Sequence, residues 1–425
     1  MLKTFRDAWR IPEIRKKILF TLFMLFIYRV GSAIPVPFMD KNAIAVMINN
    51  SQNSILGMMD LFAGGNLRQF TIFAANIYPY ITASIVLQLL TIAIPSLEAL
   101  SKEGETGRKQ IAKYTRYLTV VLAAITAIGY SFGLFRSMVM TDSLLSKAVI
   151  VLSIVAGTMF LVWVGEQITE RGIGNGISLL IFTGIVARFP DDIIRSIALV
   201  QAGRVHWAYL ILFVLVFLLI VVVVVMMNEG ERRIPVQYAK RVVGRKMYGG
   251  QSTHIPVKVM MSGVMPIIFA NSIVGLPLMI AQFRPRSGFA AFVQKWFSYV
   301  QMPGLIIYSL VSVILIIFFA FFYTTIQFNT VEYSKNLQQN GGFIPGIRPG
   351  RSTSDYLGRV VNRLVLPGAI VLSILAVAPY FLGYASGLQF NFGGTSMIIV
   401  VGVILETARV IEQHMLMRHY RGFLK

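Results

Sequence analysis

Ten separate runs of apolar residues, candidates for crossing a hydrocarbon core of about 30 Å, constrain this chain more than any other feature. They fall at 18–34, 71–94, 118–135, 148–164, 174–187, 208–227, 257–280, 304–323, 364–382 and 395–410. No single soluble core needs that much apolar sequence. Over the 425 residues, 56% are hydrophobic and only 13% charged, with a mean hydropathy of +0.69, so most of the chain must face lipid. The expected fold is an all-α integral membrane protein of about ten transmembrane helices.

Charge then orients the spans. The N-terminus is basic (Lys3, Arg6, Arg10, Arg15, Lys16, Lys17), and the apolar stretch behind it ends in Arg29 and prolines rather than a small-residue cleavage site, so it reads as a retained first helix. Placing the N-terminus in the cytoplasm puts 28 of the 39 Lys and Arg on that side and ten on the other, with Arg29 inside the first span. The bias predicts both termini cytoplasmic. A formal net charge of +21 fits this topology and also an anionic partner at the cytoplasmic face. The chain has no cysteine, which excludes a disulfide framework, a thiolate metal site and a cysteine nucleophile.

Several stretches depart from plain spans. Two cytoplasmic segments, 228–256 and 327–363, mix arginine with glycine, proline and amide residues, and read as exposed basic protrusions. The fifth span is short and starts on glycine. A weakly apolar stretch at 57–68 lies just outside the first span, and such discontinuous segments occur where they line a cavity. Within it, ILGMMDLFAGG at 55–65 is a helix-like run closed by a glycine pair able to supply a positive-φ cap. Read alone, it fits either a cavity element or a surface amphipathic helix. The seventh span carries Gly263, Pro266, Asn271, Gly275 and Pro277, so a kink or hinge is expected there. Five spans followed by five more fit an inverted repeat.

Candidate chemistry is sparse. GIGNG at 172–176 lacks a phosphate-loop lysine and sits beside Glu166 and Glu170, so it reads as a turn between the fourth and fifth helices. The four histidines (His206, His254, His414, His419) form no HExxH or triad pattern. Ile77 and Ile81, four residues apart, share one face of the second helix, and Ile177 and Ile181 repeat that geometry in the fifth. Such pairs serve ordinary packing as readily as a pore. Gln88 and Asn271 are polar groups within spans and need partners, either at a helix seam or elsewhere.

Seven blocks in order carry a resemblance: RVGSAIPVP from Arg29, LFAGGNLRQFTIFAANIYPYITASIVLQLL from Leu61, KEGETGRKQIAKYTRY from Lys102, GEQITERGIGNGISLLIF from Gly165, QSTHIPVKV from Gln251, FIPGIRPGRSTSDYL from Phe343 and FGGTSMIIVVGV from Phe392. Together they resemble the SecY family, whose members form the central subunit of the protein-conducting channel. The resemblance implies one domain over 1–425 in two pseudo-symmetric halves around a pore, about 1–205 and 206–425. It implies a pore ring at Ile77, Ile81, Ile177, Ile181, Ile268 and Ile399, and a plug at about 55–65 with Ile55, Leu56, Met58, Met59, Leu61 and Phe62. A lateral gate between helices two and three and helices seven and eight would use Thr82, Gln88, Asn271 and Leu276. The basic loops, with Arg232, Arg233, Lys240, Arg241, Arg245, Lys246, Arg348, Arg351 and Arg359, would dock the SecA motor and the ribosome. The other implied partners are SecE and SecG-like subunits, signal sequences, nascent polypeptides and membrane lipids. The implied location is the bacterial inner membrane. No cofactor, metal or catalytic residue is expected, since energy would come from translation or from SecA.

The main rival is a secondary transporter for small solutes, which also uses inverted repeats and broken helices. Ion-coupled transporters generally need intramembrane charges, and away from their ends the spans contain almost none.

Overall fold

The computed structural model describes residues 2–50, 60, 63–141, 143–203, 206–238, 241–243, 246–248, 252–281, 283–284, 287–297, 302–386 and 394–422. The chain opens with α1 (Leu2–Arg10), α2 (Pro12–Gly31) and α3 (Lys41–Asn50). It continues through α4 (Tyr78–Ala93), α5 (Pro95–Lys102), α6 (Glu105–Ile128), α7 (Leu144–Arg171), α8 (Gly176–Gln201) and α9 (Trp207–Glu229). Four strands follow, β1 (Glu231–Tyr238), β2 (Arg241–Val243), β3 (Lys246–Tyr248) and β4 (Ser252–Lys258). Then come α10 (Met265–Ala281), α11 (Gly288–Trp296), α12 (Gly304–Gln327), α13 (Thr330–Gln339), β5 (Gly342–Phe343), α14 (Arg351–Ser386) and α15 (Gly394–Gly422).

A helix overlies each of the ten apolar runs: α2, α4, α6 to α10, α12, α14 and α15. Among the described residues, six segments are long and apolar enough to cross a bilayer alone: those of α6, α7, α9, α12, α14 and α15. The pair α4 and α5, bent by 102°, makes a seventh. Pro95 starts α5 at the bend, where the absent N–H of proline costs nothing because a first-turn N–H has no helical partner. Helix α9 has a mean hydropathy of 3.7 yet buries only Ile220, Val224 and Asn228, so its remaining surface is suited to lipid.

Helix boundaries differ from the sequence expectation where backbone groups find other partners. The second span, expected from residue 71, becomes helical only at Tyr78. Before it, the amide of Val36 donates to the carbonyl of Phe70 and that of Ile72 to the carbonyl of Ile34, and Asn76 has φ of 49°, so 63–77 is a folded turn. The seventh span, expected from 257, starts at Met265, because 252–258 pairs with β1, with Ile234 opposite Ile255. The fifth span is not short. Helix α8 continues through Arg188 and Pro190 to Gln201, since the arginine that ends the apolar run has its charge matched within the fold.

The two basic segments, 228–256 and 327–363, are also more ordered than loops. Strands β4, β1 and β5 form one sheet in that order, with Gln237 opposite Phe343, so the first segment is joined to the second. Ile234, Val236 and Val257 pack from this sheet against Ala320, Leu357 and Val361 of α12 and α14. A larger apolar cluster joins elements from both ends of the chain, from Met24 and Tyr28 of α2 to Ile399 and Leu405 of α15.

Candidate functional site

At the centre of that cluster, α4, α8, α10 and α15 leave a small cavity. It is lined by Ile77, Ile81, Ile181, Ile268 and Ile399, together with Asn76, Tyr78, Asn271 and Ser272. About 40 Å³ is open to the centres of water-sized molecules, room for roughly three waters. Ile77, Ile268 and Ile399 are buried, and Ile81 and Ile181 half-buried. Five of the six isoleucines expected to form a ring therefore converge on one space. Ile177 is not among the lining residues: a Cβ added at Gly165 would come within 2.5 Å of its Cδ1, so its tip fills the gap that the glycine leaves between α7 and α8. No lining side chain carries a charge at neutral pH, and the Asn271 amide nitrogen has no hydrogen-bond partner among the described residues. Such a space holds water weakly.

One wall of the cavity is a seam between α4 on one side and α10 and α12 on the other. The Tyr78 hydroxyl donates to the Ser272 carbonyl at 2.7 Å. Gly275 makes room for it, since a Cβ there would lie 2.6 Å from the hydroxyl oxygen. Further along α4, the Tyr323 hydroxyl donates to the Gln88 side-chain oxygen, and Gln88 Nε2 donates to Ser84 Oγ at 3.3 Å. Phe269 packs edge-on against Tyr323, ring centroids 4.8 Å apart. At the start of the π turn that follows α6, Gly129 faces the Phe283 ring. The expected gate residues thus divide. Gln88 bridges to α12, Asn271 faces the cavity, the Thr82 hydroxyl is satisfied within its own helix by the Tyr78 carbonyl at 3.1 Å, and Leu276 is half-buried on α10. Tyr78 and Tyr323 escape a sequence reading because buried tyrosines are common, and Gly275 stands out in the sequence only as a hinge candidate, not as the space for a tyrosine hydroxyl.

The expected plug residues Ile55, Leu56, Met58, Met59, Leu61 and Phe62 lie outside the described residues. Asp60 and 63–71 are described, and they are mostly buried rather than spread on a surface. Gly64 and Gly65 have φ of 65° and 86°, the left-handed conformation expected of the glycine pair. Asp60, 1% exposed, forms an ion pair with Arg188 of α8 at 2.9 Å. Its other carboxylate oxygen accepts from the Arg68 amide at 2.7 Å. Arg188 had counted in the sequence only as one more charge on the outer side; nothing local announced a partner 128 residues away.

Of the basic residues expected to meet partners, Arg232, Arg348, Arg351 and Arg359 are exposed, and Arg233 pairs with Glu231 at 2.8 Å. Arg351 and Arg359 belong to α14 rather than to a loop. Arg348 sits in a tight turn between Gly346 and Gly350, with φ of 81° and 95°, and its carbonyl accepts from the Thr353 hydroxyl at 2.9 Å. Arg241 and Lys246 lie in the β2–β3 ladder, while Lys240 and Arg245 fall outside the described residues. Lys258, closing β4, has its ammonium pushed below the usual lysine range by partial burial and by the like charge of Arg409.

The family model described as SecY matches residues 71–408. The chain belongs to the SecY family. Among its SecY relatives, the protein translocase subunit SecY of Streptomyces scabiei is 44% identical over the whole of both chains. That of Thermotoga maritima is 43% identical over all of this chain and 98% of its own. The same fold appears in a structure in which the plug domain of the SecY protein is described as stabilising the closed state of the translocation channel and maintaining a membrane seal. It covers 96% of each chain at a TM-score of 0.66 and 17% identity. The channel of a canine ribosome-channel complex from the endoplasmic reticulum matches over 96% of each chain, at a TM-score of 0.62 and 17% identity. SecY membership makes the chain a multi-pass membrane protein of the protein-translocation class, and none of these matches is a small-solute transporter.

Proposed function

We propose that this chain is the polypeptide-conducting subunit of a bacterial protein translocase, passing unfolded secretory chains across the inner membrane and releasing apolar segments sideways into lipid. The observation that carries this reading is the convergence of Ile77, Ile81, Ile181, Ile268 and Ile399 on one cavity. An apolar constriction dewets and blocks ions when empty, and branched aliphatic side chains offer no group that selects one passing residue over another. The lateral exit would be the seam where α4 meets α10 and α12, because a few hydrogen bonds there join surfaces that are otherwise apolar. The halves 1–205 and 206–425 would part at this seam. With both termini in the cytoplasm, the β4–β1–β5 sheet and the Arg348 turn face the side from which polypeptides arrive. Their exposed cations suit ribosomal phosphates and the SecA motor, in keeping with the ribosome-bound channel among the similar structures.

A SecE-type clamp has a seat of the right chemistry away from the gate. An apolar groove between α1, α2, α8 and α15, lined by Trp9, Ile18, Leu22, Phe182, Ile404 and Ile411, has almost no polar surface. A SecG-like subunit is the remaining partner. The chain itself would do no catalysis, with energy supplied by translation or by SecA. Reconstitution with SecE in liposomes, with SecA, ATP and a signal-bearing precursor, tests the proposal. Precursor protected from protease in an ATP- and signal-dependent way is expected, and no protection with a folded complex would refute it.

A further inference from the structure

Helix α11 is short, yet its sequence divides its surface three ways. The Ser287 hydroxyl caps it by accepting from the Ala290 amide at 3.1 Å, and each following residue turns by about 100°. Ala290 and Val293 lie on one face, and with Phe297 they pack on Val274 and Ala281 of α10, Leu305 and Tyr308 of α12 and Tyr380 of α14. Phe289, Phe292 and Trp296 lie on the next face, outside that core, with Phe289 and Phe292 47% and 52% exposed. Gly288, Ala291, Gln294 and Lys295 form a third face, also exposed. The inward face touches the last residue of α10 and the second of α12, so α11 lies at the level where those apolar helices end. Cations accompany the aromatic face. Lys295 Nζ stands 5.4 Å from the Trp296 ring centroid, Arg284 is exposed, and the stretch 282–303 has three cations and no acid.

We propose that α11 is an interfacial anchor for a phospholipid surface, with Phe289, Phe292 and Trp296 at the boundary of headgroups and acyl chains, Lys295 and Arg284 on lipid phosphates, and the end of α10 pinned by it. A helix at the mouth of a membrane span has lipid as its neighbour on one side and water on the other. Aromatic rings are favoured at that boundary, and cations beside them complement the phosphate layer. The three faces of α11 match protein, lipid and water in turn, so the helix needs no further protein to cover it. Its hold on α10 reaches the seam: two residues past Ala281, Phe283 faces Gly129 at the end of α6. A helix fixed in the headgroup layer therefore resists displacement of this end of α10. The anchor follows from membrane insertion alone, whereas the pinning rests on the lateral exit proposed above.

The experiment uses the full chain with its SecE subunit in phosphatidylcholine liposomes, with or without phosphatidylglycerol. Because the chain has no cysteine, Phe292→Cys and Gln294→Cys each place one nitrobenzoxadiazole probe on α11, on the aromatic and the polar face; Phe289→Cys is a second aromatic position should Phe292→Cys fail to assemble. Lipids brominated near the headgroup should quench the probe at 292 at least threefold more strongly than at 294, and aqueous iodide should do the reverse. Iodide reaching 292 as readily as 294 would overturn the anchor, and so would protection of 292 from both quenchers, which means that protein covers the face. Phosphatidylglycerol should deepen the lipid quenching at 292, and Arg284→Gln/Lys295→Gln should abolish that gain; equal quenching in both lipids would overturn the phosphate contact. For the pinning, Ser272→Cys is labelled with maleimide in the same vesicles. Phe289→Ser/Phe292→Ser/Trp296→Ser should label at least threefold faster. The reference rate in that variant, where Gly275→Ala does label faster, would overturn the pinning alone. Unchanged labelling in both would overturn the seam and the pinning with it.

Discussion

Gly275→Ala is the smallest change that tests the seam. A methyl group at this position of α10 would sit 2.6 Å from the Tyr78 hydroxyl oxygen and 3.4 Å from Cζ, so the hydroxyl must move off the Ser272 carbonyl, which it now meets at 2.7 Å. The collision is with the end of a side chain rather than with backbone, so the cost is a lost bond and a stranded hydroxyl, about 1–3 kcal/mol, plus some ring repacking. The gain of about 0.5–1 kcal/mol in helix propensity from alanine acts alike on α10 with the seam open or closed and cancels. A net bias of about 1–3 kcal/mol against the closed seam corresponds to a shift of about 5- to 150-fold. Because the chain has no cysteine, a single thiol introduced as Ser272→Cys, at a position 3% exposed, reports seam opening through its rate of maleimide labelling. Gly275→Ala should accelerate labelling by that factor. Gly275→Ala with Tyr78→Phe should return it towards the reference, since Cζ at 3.4 Å is an ordinary contact. Labelling at the reference rate in Gly275→Ala, or equally fast in both variants, would refute the reasoning.

Three further changes probe other parts. Replacing Ile77, Ile81, Ile177 and Ile181 together with glycine should leave the resting channel leaky to ions, and the set without Ile177 should leak as much, because Ile177 lies off the cavity; unchanged conductance would remove the ring. Arg348→Glu should slow SecA-driven or ribosome-linked transport without lowering the melting temperature, given its exposed turn, and normal transport would leave that charge with a topological role alone. Gly157→Ala should destabilise the fold by about 1–3 kcal/mol or more, since the added Cβ would fall 2.0 Å from the backbone carbonyl oxygen of Ile72; an unchanged melting temperature in detergent would show that α7 does not pack so closely on that turn.

The ten apolar runs were legible because such a run has few alternatives in lipid, and a helix overlies each of them, six or seven being long and apolar enough to cross a bilayer among the described residues. Their ends were not, because an end depends on where backbone groups find partners. Residues 252–258 are apolar enough to extend a span, yet they complete a strand with β1. The isoleucine pairs announced a shared face but not what it faced, since a packing face and a lumen face have the same spacing. Asp60 and Arg188 were invisible as a pair for the same kind of reason: each alone reads as a polar residue near a membrane edge, and only the turn formed by 63–71 brings them together. The Arg348 turn was visible in GIRPG, where glycines at both sides supply the positive φ it needs.

The seam gains its meaning from the solvent. Between helices in lipid, apolar contact has no hydrophobic driving force, because a lipid tail or another apolar helix satisfies the same surface equally well. The packing of α4 on α10 and α12 through side chains such as Ile85, Phe269 and Phe319 is therefore exchangeable, and an apolar segment entering between them replaces it nearly contact for contact. The bonds from Tyr78 to Ser272 and from Tyr323 to Gln88 are not exchangeable in this way. An apolar segment offers no donor or acceptor in their place, so every opening towards lipid leaves these groups to repartner within their own helices, as Gln88 already does in part through Ser84. The closed state is thus favoured by a small polar increment laid over a nearly neutral apolar one. If the seam is the lateral exit proposed above, that balance would let a segment of sufficient apolar length open it while a polar stretch, which gains nothing from lipid, would leave it shut.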